Sequence, residues 1–254
     1  MPRFEPSIVE AAKTFPTTIV HAAIGQYSIR EKDLSSRSRA LLGMIQLLIK
    51  SGTNPAELIR ELEVAPEFSD KKSEDILRAF FNSEFIDTAR VVCVSTRFNN
   101  DALWAMYADK FKGCVIGFRH IPELSTPFLA AKKVSYSKHQ PVAGSGIDFL
   151  LYGDTDQLRR SIIDSVCFTK RHHWADQQEW RVVTWRDEES ETRFTDYRFY
   201  PQEVESVTLG MSATGDTELH VARLIEAFYP DCQLYRLVKE NGSKNRVRVN
   251  LRGT

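Results

Sequence analysis

Neither sign of charge is in excess in this chain of 254 residues. Lysine and arginine together number 34, and aspartate and glutamate together also number 34. A protein that binds nucleic acid through its overall charge carries a basic excess, so the net charge does not indicate a nucleic-acid partner. A local basic patch remains compatible with this balance.

Long apolar runs and closely spaced cysteines are also lacking. No stretch approaches the roughly 20 apolar residues that a helix needs to span a bilayer. The segment Met1 to Pro6 lacks the basic and then apolar pattern of a signal peptide. The cysteines lie far apart, in or beside apolar runs, which predicts buried, reduced thiols and a cytoplasmic protein without a membrane partner. They are Cys93, Cys114, Cys167 and Cys232.

Several motifs of known chemistry are absent too. The sequence has no phosphate-binding P-loop, no dinucleotide-binding glycine motif and no Gly-x-Ser-x-Gly nucleophile motif. No metal is expected, because the cysteines are not closely spaced and no third ligand accompanies the adjacent His172 and His173 at a usual spacing.

The first 87 residues have the pattern of helices. Apolar residues from Leu41 to Ile49 form a strongly apolar helical segment that stops at Ser51-Gly52. Asn54-Pro55 is typical of a helix start. A third helix is predicted to begin at Ser69 or Ser73 and to extend to about Phe85.

From Thr88 the pattern changes to strands with inserted helices. The chain is therefore predicted to be α+β, with a helical N-terminal part followed by a mainly antiparallel sheet with inserted helices. We divide it into a helical region, residues 1–87, and an α+β domain, residues 88–254. The predicted strands are Ala89–Ser95, Cys114–Phe118, Lys133–Tyr136, Trp180–Trp185, Thr192–Tyr200, Val204–Leu209, Gln233–Val238 and Arg246–Leu251. The predicted helices run from Asn100 to near Gly113, from about Asp148 to Phe168, and from Thr217 to Phe228.

Titratable and aromatic side chains concentrate between Val166 and Trp185. Such side chains are costly to bury unless they pair with each other or meet a ligand, so this segment is the best candidate for a site. Its members are Lys170, His172, His173, Trp174, Gln177, Glu179, Trp180 and Arg181.

Two groups earlier in the chain, between residues 95 and 107, are further candidates for the site. Ser95-Thr96-Arg97 ends a predicted strand just before a predicted helix, where free backbone N–H groups can hold a phosphate or carboxylate. The alternative is an ordinary strand end followed by a helix cap. Trp104 and Tyr107 share one helix face and can stack on a flat ligand, although aromatic residues at this spacing are more typical of a core.

Glu179 has two interpretations. If the backbone is extended there, Gln177 and Glu179 point to the same face, and together they can bind a sugar hydroxyl and stabilise positive charge at an anomeric carbon. Alternatively, Glu179 forms an internal salt bridge with Lys170 or Arg181. An enzyme predicts Glu179 exposed at the base of a pocket near Ser95, whereas a structural pin predicts Glu179 buried and bidentate to Arg181 or Lys170, with no cavity beside it.

The order of these motifs resembles a widespread, mostly bacterial domain-of-unknown-function family. That family has a Cys-Phe-Ser strand, a Met-Trp-x-x-Tyr-Ala-x-x-x-x-Gly helix and a further strand, matched by Cys93–Ser95 and Leu103–Phe118, with Val94 in place of Phe. Its Lys, Trp and Glu-x-Glu-aromatic-Arg motif matches Lys170–Arg181. Its Ile-x-x-Ile-x-Leu-Gly strand matches Val204–Gly210. The resemblance covers roughly residues 88–240, and the family's Tyr-rich first strand is absent or strongly altered.

The family's layout is similar to that of ADP-ribosyltransferases, in which a Ser-Thr element and a Gln/Glu-x-Glu element form the site. This resemblance implies an NAD- or nucleotide-using transferase in stress or phage defence, with NAD as the cofactor. Glu179 would bind a ribose hydroxyl and stabilise an oxocarbenium-like transition state, with Ser95 orienting the ribose and Gln177 as the third catalytic residue. The expected substrate-binding residues are Arg97, Trp104, Tyr107, Lys170, His172, Trp174 and Arg181.

The alternative function is a non-catalytic protein- or ligand-binding module. In that case the Trp/Glu/Arg cluster is structural, and the N-terminal helices carry the interface with a protein partner.

Overall fold

The computed structural model describes residues 2–63, 88–185 and 194–250. The helices in these ranges are α1 (Ile8–Ala23), α2 (Ser36–Lys50), α3 (Pro55–Glu63), α4 (Asp101–Tyr107), α5 (Gly146–Tyr152), α6 (Asp156–Cys167) and α7 (Gly215–Phe228). The strands are β1 (Arg3–Phe4), β2 (Ala89–Ser95), β3 (Cys114–Phe118), β4 (Lys132–Lys133), β5 (Ser135–Ser137), β6 (Val142–Gly144), β7 (Thr169–Arg171), β8 (Glu179–Trp185), β9 (Val204–Leu209), β10 (Gln233–Glu240) and β11 (Ser243–Arg248). The fold is α+β with a helical N-terminal part, which confirms the predicted class.

The chain divides into two compact units that are each built from two segments. The first unit comprises Met1–Ala89 and Ser137–Arg171, and the second comprises Arg90–Tyr136 and His172–Thr254. The first point at which the chain leaves the first unit is close to the predicted division after residue 87. The first unit also takes in a later segment, which the sequence analysis assigned to the α+β domain.

Helices build most of the first unit. A capping box begins α1, because the Ser7 hydroxyl accepts the Glu10 N–H while the Glu10 carboxylate accepts the Ser7 N–H. The Ser7 N–H and hydroxyl together hold the pKa of Glu10 below its usual value. Helices α1, α2, α3 and α5 contribute to one apolar core, which includes Ile19, Ile45 and Leu151.

The long helix predicted from Asp148 to Phe168 is wrong, because the structure has α5 and α6 in its place. The break lies at Gly153, whose φ of 72° is in the left-handed region that a helix cannot continue through. Thr155 then begins the second helix by accepting the Leu158 N–H with its hydroxyl, at 3.2 Å.

Two sheets form the second unit. The first has the strand order β11-β10-β9-β3, in which β9 and β10 are parallel and the other pairs are antiparallel. The second has the order β2-β8-β4, so β8 is its central strand. Helix α7 packs its apolar face on β9 and β10 through a core that includes Leu209, Ile225 and Leu234.

A turn with left-handed backbone conformation follows α4, and it packs against Gly210, the residue after β9. Helix α4 ends at Tyr107 rather than near Gly113, because Asp109, Lys110 and Phe111 all have positive φ. The Ser212 N–H donates to the Phe111 carbonyl at 3.0 Å. A Cβ atom on Gly210 would overlap that same carbonyl oxygen. Only glycine therefore fits at position 210. This close approach explains why a glycine follows Leu209 at the end of β9.

Other predictions were wrong at particular places. Residues 194–200 form no strand, because Phe199 packs its ring on that of Phe118, at 5.4 Å, without joining a sheet. The predicted strand Arg246–Leu251 begins earlier, at Ser243, because the residues at 241 and 242 form a tight turn with positive φ at both positions. The third predicted helix, from Ser69 or Ser73 to Phe85, lies outside the described residues.

The cysteines divide into two classes. Cys167 and Cys232 are buried, as predicted, and burial raises the pKa of the Cys232 thiol. Cys93 and Cys114 are exposed, so the prediction of burial was wrong for them. Cys93 lies on β2, an edge strand, and Cys114 is the first residue of β3.

Within residues 2–63, 88–185 and 194–250, no helix is both long enough and apolar enough to cross a membrane.

We expect Gly210→Ala to destabilise the protein strongly, because the new methyl group would displace the backbone at Phe111. Overpacking of this kind costs about 1–3 kcal/mol or more. Gly215→Ala is the matched control, because a Cβ atom there meets nothing within 4 Å. Urea unfolding of both variants measures the difference, and equal stabilities would contradict the assigned role of Gly210.

Candidate functional site

Two hydrogen bonds hold the backbone N–H and carbonyl of Glu179, the first residue of β8. The Glu179 N–H donates to the Tyr136 hydroxyl at 2.8 Å, and the Glu179 carbonyl accepts from the Val134 N–H at 2.9 Å. Beyond this point, β8 pairs with β4, with Arg181 opposite Lys132. The position of the Glu179 side chain is therefore fixed by its own backbone.

The Glu179 side chain forms a buried ion pair with Arg181. Its Oε2 atom accepts from Nη2 at 2.8 Å and from Nε at 3.1 Å. The side chains are 8% exposed for Glu179 and 15% exposed for Arg181. Residues two apart on a strand share a face, so the alternation predicted this pair, and the structure confirms it.

Gln177 does not lie on the strand with Glu179. It ends a 3-10 turn, His172–Gln177, and Gln178 follows with a φ of 45°. The backbone is therefore not extended here, so the expected alternation from residue 177 to residue 179 fails. Both residues are nevertheless buried. Over the whole residue, including the backbone, Gln177 is 2% and Glu179 is 6% exposed.

The Ser95 hydroxyl ties the end of β2 to this turn. Its Oγ atom donates to the Gln177 carbonyl at 2.6 Å and accepts from the Arg97 N–H at 3.0 Å. The structure thus brings Ser95, Gln177 and Glu179 into one corner of the second unit. We call this corner the 95/179 corner.

Further polar residues strengthen the same connection, and the sequence analysis missed their roles. The Thr96 hydroxyl donates to the Gln178 side chain at 3.0 Å, and the Asn100 side-chain amide donates to the Asp176 carbonyl at 3.0 Å. Asn100 also caps α4, as predicted, by accepting the Leu103 N–H. Tyr136, the hydroxyl partner of Glu179, was missed as well.

The aromatic pair on α4 is divided between the core and the surface. Trp104 is 1% exposed, stacks on Phe111 at 5.8 Å and donates its indole N–H to the Phe98 carbonyl at 2.6 Å. Tyr107 is 72% exposed. Trp104 is therefore a core residue, which was the alternative to stacking on a ligand. Of this pair, only Tyr107 presents its ring to solvent.

The remaining predicted residues lie on several different elements. Arg97 and His172 are exposed, and Trp174 is half-buried with its ring 5.0 Å from that of His173. The two histidines lie in the 3-10 turn rather than on a strand, because the strand begins only at Glu179. Lys170 lies on β7 in the first unit and is half-buried.

Among the described residues, no group of three His, Cys, Asp or Glu side chains is arranged to hold a metal ion.

Comparison of the chain with known proteins finds no matching family model, no similar curated protein and no similar solved structure. The resemblance described above therefore rests on its motif residues alone. Three of those motif positions have structural roles here: Trp104 fills a core, Gly210 admits a neighbouring carbonyl, and Glu179 pairs with Arg181.

We expect Trp104→Phe to lower the free energy of unfolding by about 1–3 kcal/mol, because it leaves the Phe98 carbonyl without its indole donor. Tyr107→Phe on the same helix is the control and should change stability by less than about 0.5 kcal/mol, since its side chain is largely exposed. Chemical unfolding followed by fluorescence or circular dichroism measures both. A larger loss for Tyr107→Phe would contradict the division between core and surface.

Proposed function

We propose that this chain is a non-catalytic binding module in which the Trp/Glu/Arg cluster is a structural pin. The observation that carries this proposal is the buried ion pair between Glu179 and Arg181, with two N–H groups bound to one carboxylate oxygen. The burial of Glu179 and its two bonds to one arginine support a structural pin.

The electrostatics of the pair argue against a catalytic carboxylate. A glutamate that stabilises an oxocarbenium-like transition state must present net negative charge to the developing cation. Here a guanidinium lies against the carboxylate, so the pair as a whole is neutral. At short range in a partly buried site, this neutralisation removes most of the field that a ligand would meet.

The hydroxyl of Ser95 is likewise used within the protein. It donates a hydrogen bond to the Gln177 carbonyl and accepts one from the Arg97 N–H. A serine that orients a ribose would have to exchange one of these bonds for the ligand. The bonds instead connect β2 to the turn before β8, as a structural role requires.

An exposed apolar face of α2 supports the expectation of a protein partner. Met44, Leu47 and Leu48 are 50%, 68% and 37% exposed and lie three and four residues apart, on one face of the helix. Adjacent exposed apolar side chains are typical of interaction surfaces. This face supports the binding function assigned to the N-terminal helices.

A double-mutant cycle tests the pin. Glu179→Gln and Arg181→Met should each lower the free energy of unfolding by about 3–5 kcal/mol, because each removes one member of a buried ion pair. The double variant should lose much less than the sum. An unchanged melting temperature for Glu179→Gln would contradict the proposal.

A control for this cycle is available in the same unit. Arg236 pairs with Glu218, whose side chain is 33% exposed against 8% for Glu179. Glu218→Gln should therefore cost less than Glu179→Gln, because solvent screens the more exposed pair.

The second candidate function is an NAD- or nucleotide-using transferase of ADP-ribosyltransferase type, in stress or phage defence. The observation in its favour is the 95/179 corner, where Ser95 Oγ lies 2.6 Å from the Gln177 carbonyl oxygen and Glu179 begins the adjoining strand. These are the three residues for which the resemblance implies catalysis.

Titration with NAD separates the two candidates. For a pin we expect no saturable thermal stabilisation or calorimetric heat at millimolar NAD. Saturable binding that Tyr107→Ala weakens would favour the transferase, because the resemblance to ADP-ribosyltransferases implies that the ring of Tyr107 or Trp174 stacks on the nicotinamide, and the Tyr107 ring is exposed. Tyr107→Ala is a better probe than a Glu179 variant, since it leaves the buried ion pair intact.

A further inference from the structure

Positive charge is concentrated in the hairpin formed by β10 and β11. Residues 233–250 contain five lysines and arginines but only one acidic residue, Glu240, within a chain whose charges balance overall. The cations are Arg236, Lys239, Lys244, Arg246 and Arg248. The hairpin therefore departs from the rest of the chain in the way that a local basic patch would.

The strand register places four of these cations on one face. Lys239 lies opposite Lys244, Leu237 opposite Arg246, and Tyr235 opposite Arg248. Cross-strand partners and alternate residues of one strand share a face. We call this the basic face. Its centre is covered, because Leu237 is buried in one core cluster with Trp104, so the cations lie around this covered part. Arg236 lies on the other side, where it pairs with Glu218.

The basic face is only partly neutralised. Lys244 forms an ion pair with Asp101 at the start of α4. In the part of the chain that the structure describes, Lys239, Arg246 and Arg248 are exposed and have no ion-pair partner. These three cations are therefore the members of the basic face that an anionic ligand can neutralise.

Two aromatic rings hold the guanidinium of Arg246. Its central carbon lies 5.2 Å from the ring centroid of Phe98 and 4.4 Å from that of Tyr235. Cation–π contacts of this kind orient the planar group. A guanidinium held by its faces keeps its edge N–H groups available for bidentate bonds to phosphate. Arg246 is therefore partly preorganised for an anionic ligand.

We propose that the basic face binds the phosphate backbone of a single-stranded nucleic acid. Alternate residues of an antiparallel strand repeat at about 6.8 Å, which is close to the spacing of consecutive phosphates in an extended single strand. Arg246 and Arg248 follow this repeat along β11, and Lys239 adds a third exposed cation on β10. The inference names a ligand for the binding module and does not depend on the role of Glu179.

Fluorescence anisotropy with a labelled 20-nucleotide oligo-dU or oligo-dT tests the proposal on the full chain. The test variant combines Lys239→Gln, Arg246→Gln and Arg248→Gln. The control combines Lys13→Gln, Lys32→Gln and Arg37→Gln, which removes three exposed cations of the first unit.

We expect salt-dependent binding whose log–log slope is about 2 units steeper for the wild type than for the hairpin variant, since each phosphate contact contributes roughly 0.7. The hairpin variant should bind at least about tenfold more weakly, and the control should bind as the wild type does. Arg246→Lys keeps the charge but loses the planar group, so it should bind more weakly than the wild type.

Three results would overturn the proposal. They are the absence of wild-type binding at low salt, an equal loss for the control variant, and binding to phosphatidylserine vesicles without binding to the oligonucleotides. Circular dichroism and melting temperatures of each variant show that a loss of binding is not a loss of fold.

Discussion

Burial of the Glu179 carboxylate beside the Arg181 guanidinium constrains the corner of the second unit around it. Either charge alone would be costly at this depth, so the backbone must keep both side chains on one face of β8. The hydrogen bonds from Val134 and to Tyr136 fix the first residue of that strand. The turn before β8 and the end of β2 are then positioned relative to a strand whose slip by one residue would turn both charged side chains to the other face of the sheet.

The polar residues of this corner mostly satisfy the backbone. Ser95 and Asn100 donate to carbonyls of the turn before β8, and Trp104 donates to the carbonyl of Phe98. Irregular backbone between two strands leaves carbonyl and N–H groups that no ladder satisfies, and buried polar groups without partners are costly. A dense set of hydroxyl, amide and indole groups therefore arises wherever such a turn is fixed, with or without a ligand.

Local patterns predicted much of this structure. The period-two alternation indicated the Glu179–Arg181 pair, the Asn100 cap set the start of α4, and the composition change at Thr88 indicated the α+β class. Local patterns could not show that Tyr136 meets Glu179, because nothing near either residue signals the contact. The break at Gly153 was hidden by apolar residues that continue with helical spacing on both sides.

The hairpin shows the opposite case, in which a local signal was present and was not used. Asn-Gly between two strands favours a tight turn with positive φ at both positions, and residues 241 and 242 adopt it. This turn sets the register that brings Lys239 opposite Lys244 and so gathers the cations on one face. A net charge summed over the whole chain cannot reveal such a concentration.

The two-segment composition of the first unit has a consequence for biosynthesis. Leu151 is fully buried in the same core as Ile19 and Val20 of α1. During synthesis α1 emerges from the ribosome well before α5, so its apolar face has no complete core to join until about 130 further residues have been added. Exposed apolar surface at this stage favours aggregation. The apolar face of α1 therefore stays without its full set of core partners for longer than that of a helix whose partners all follow directly in the chain.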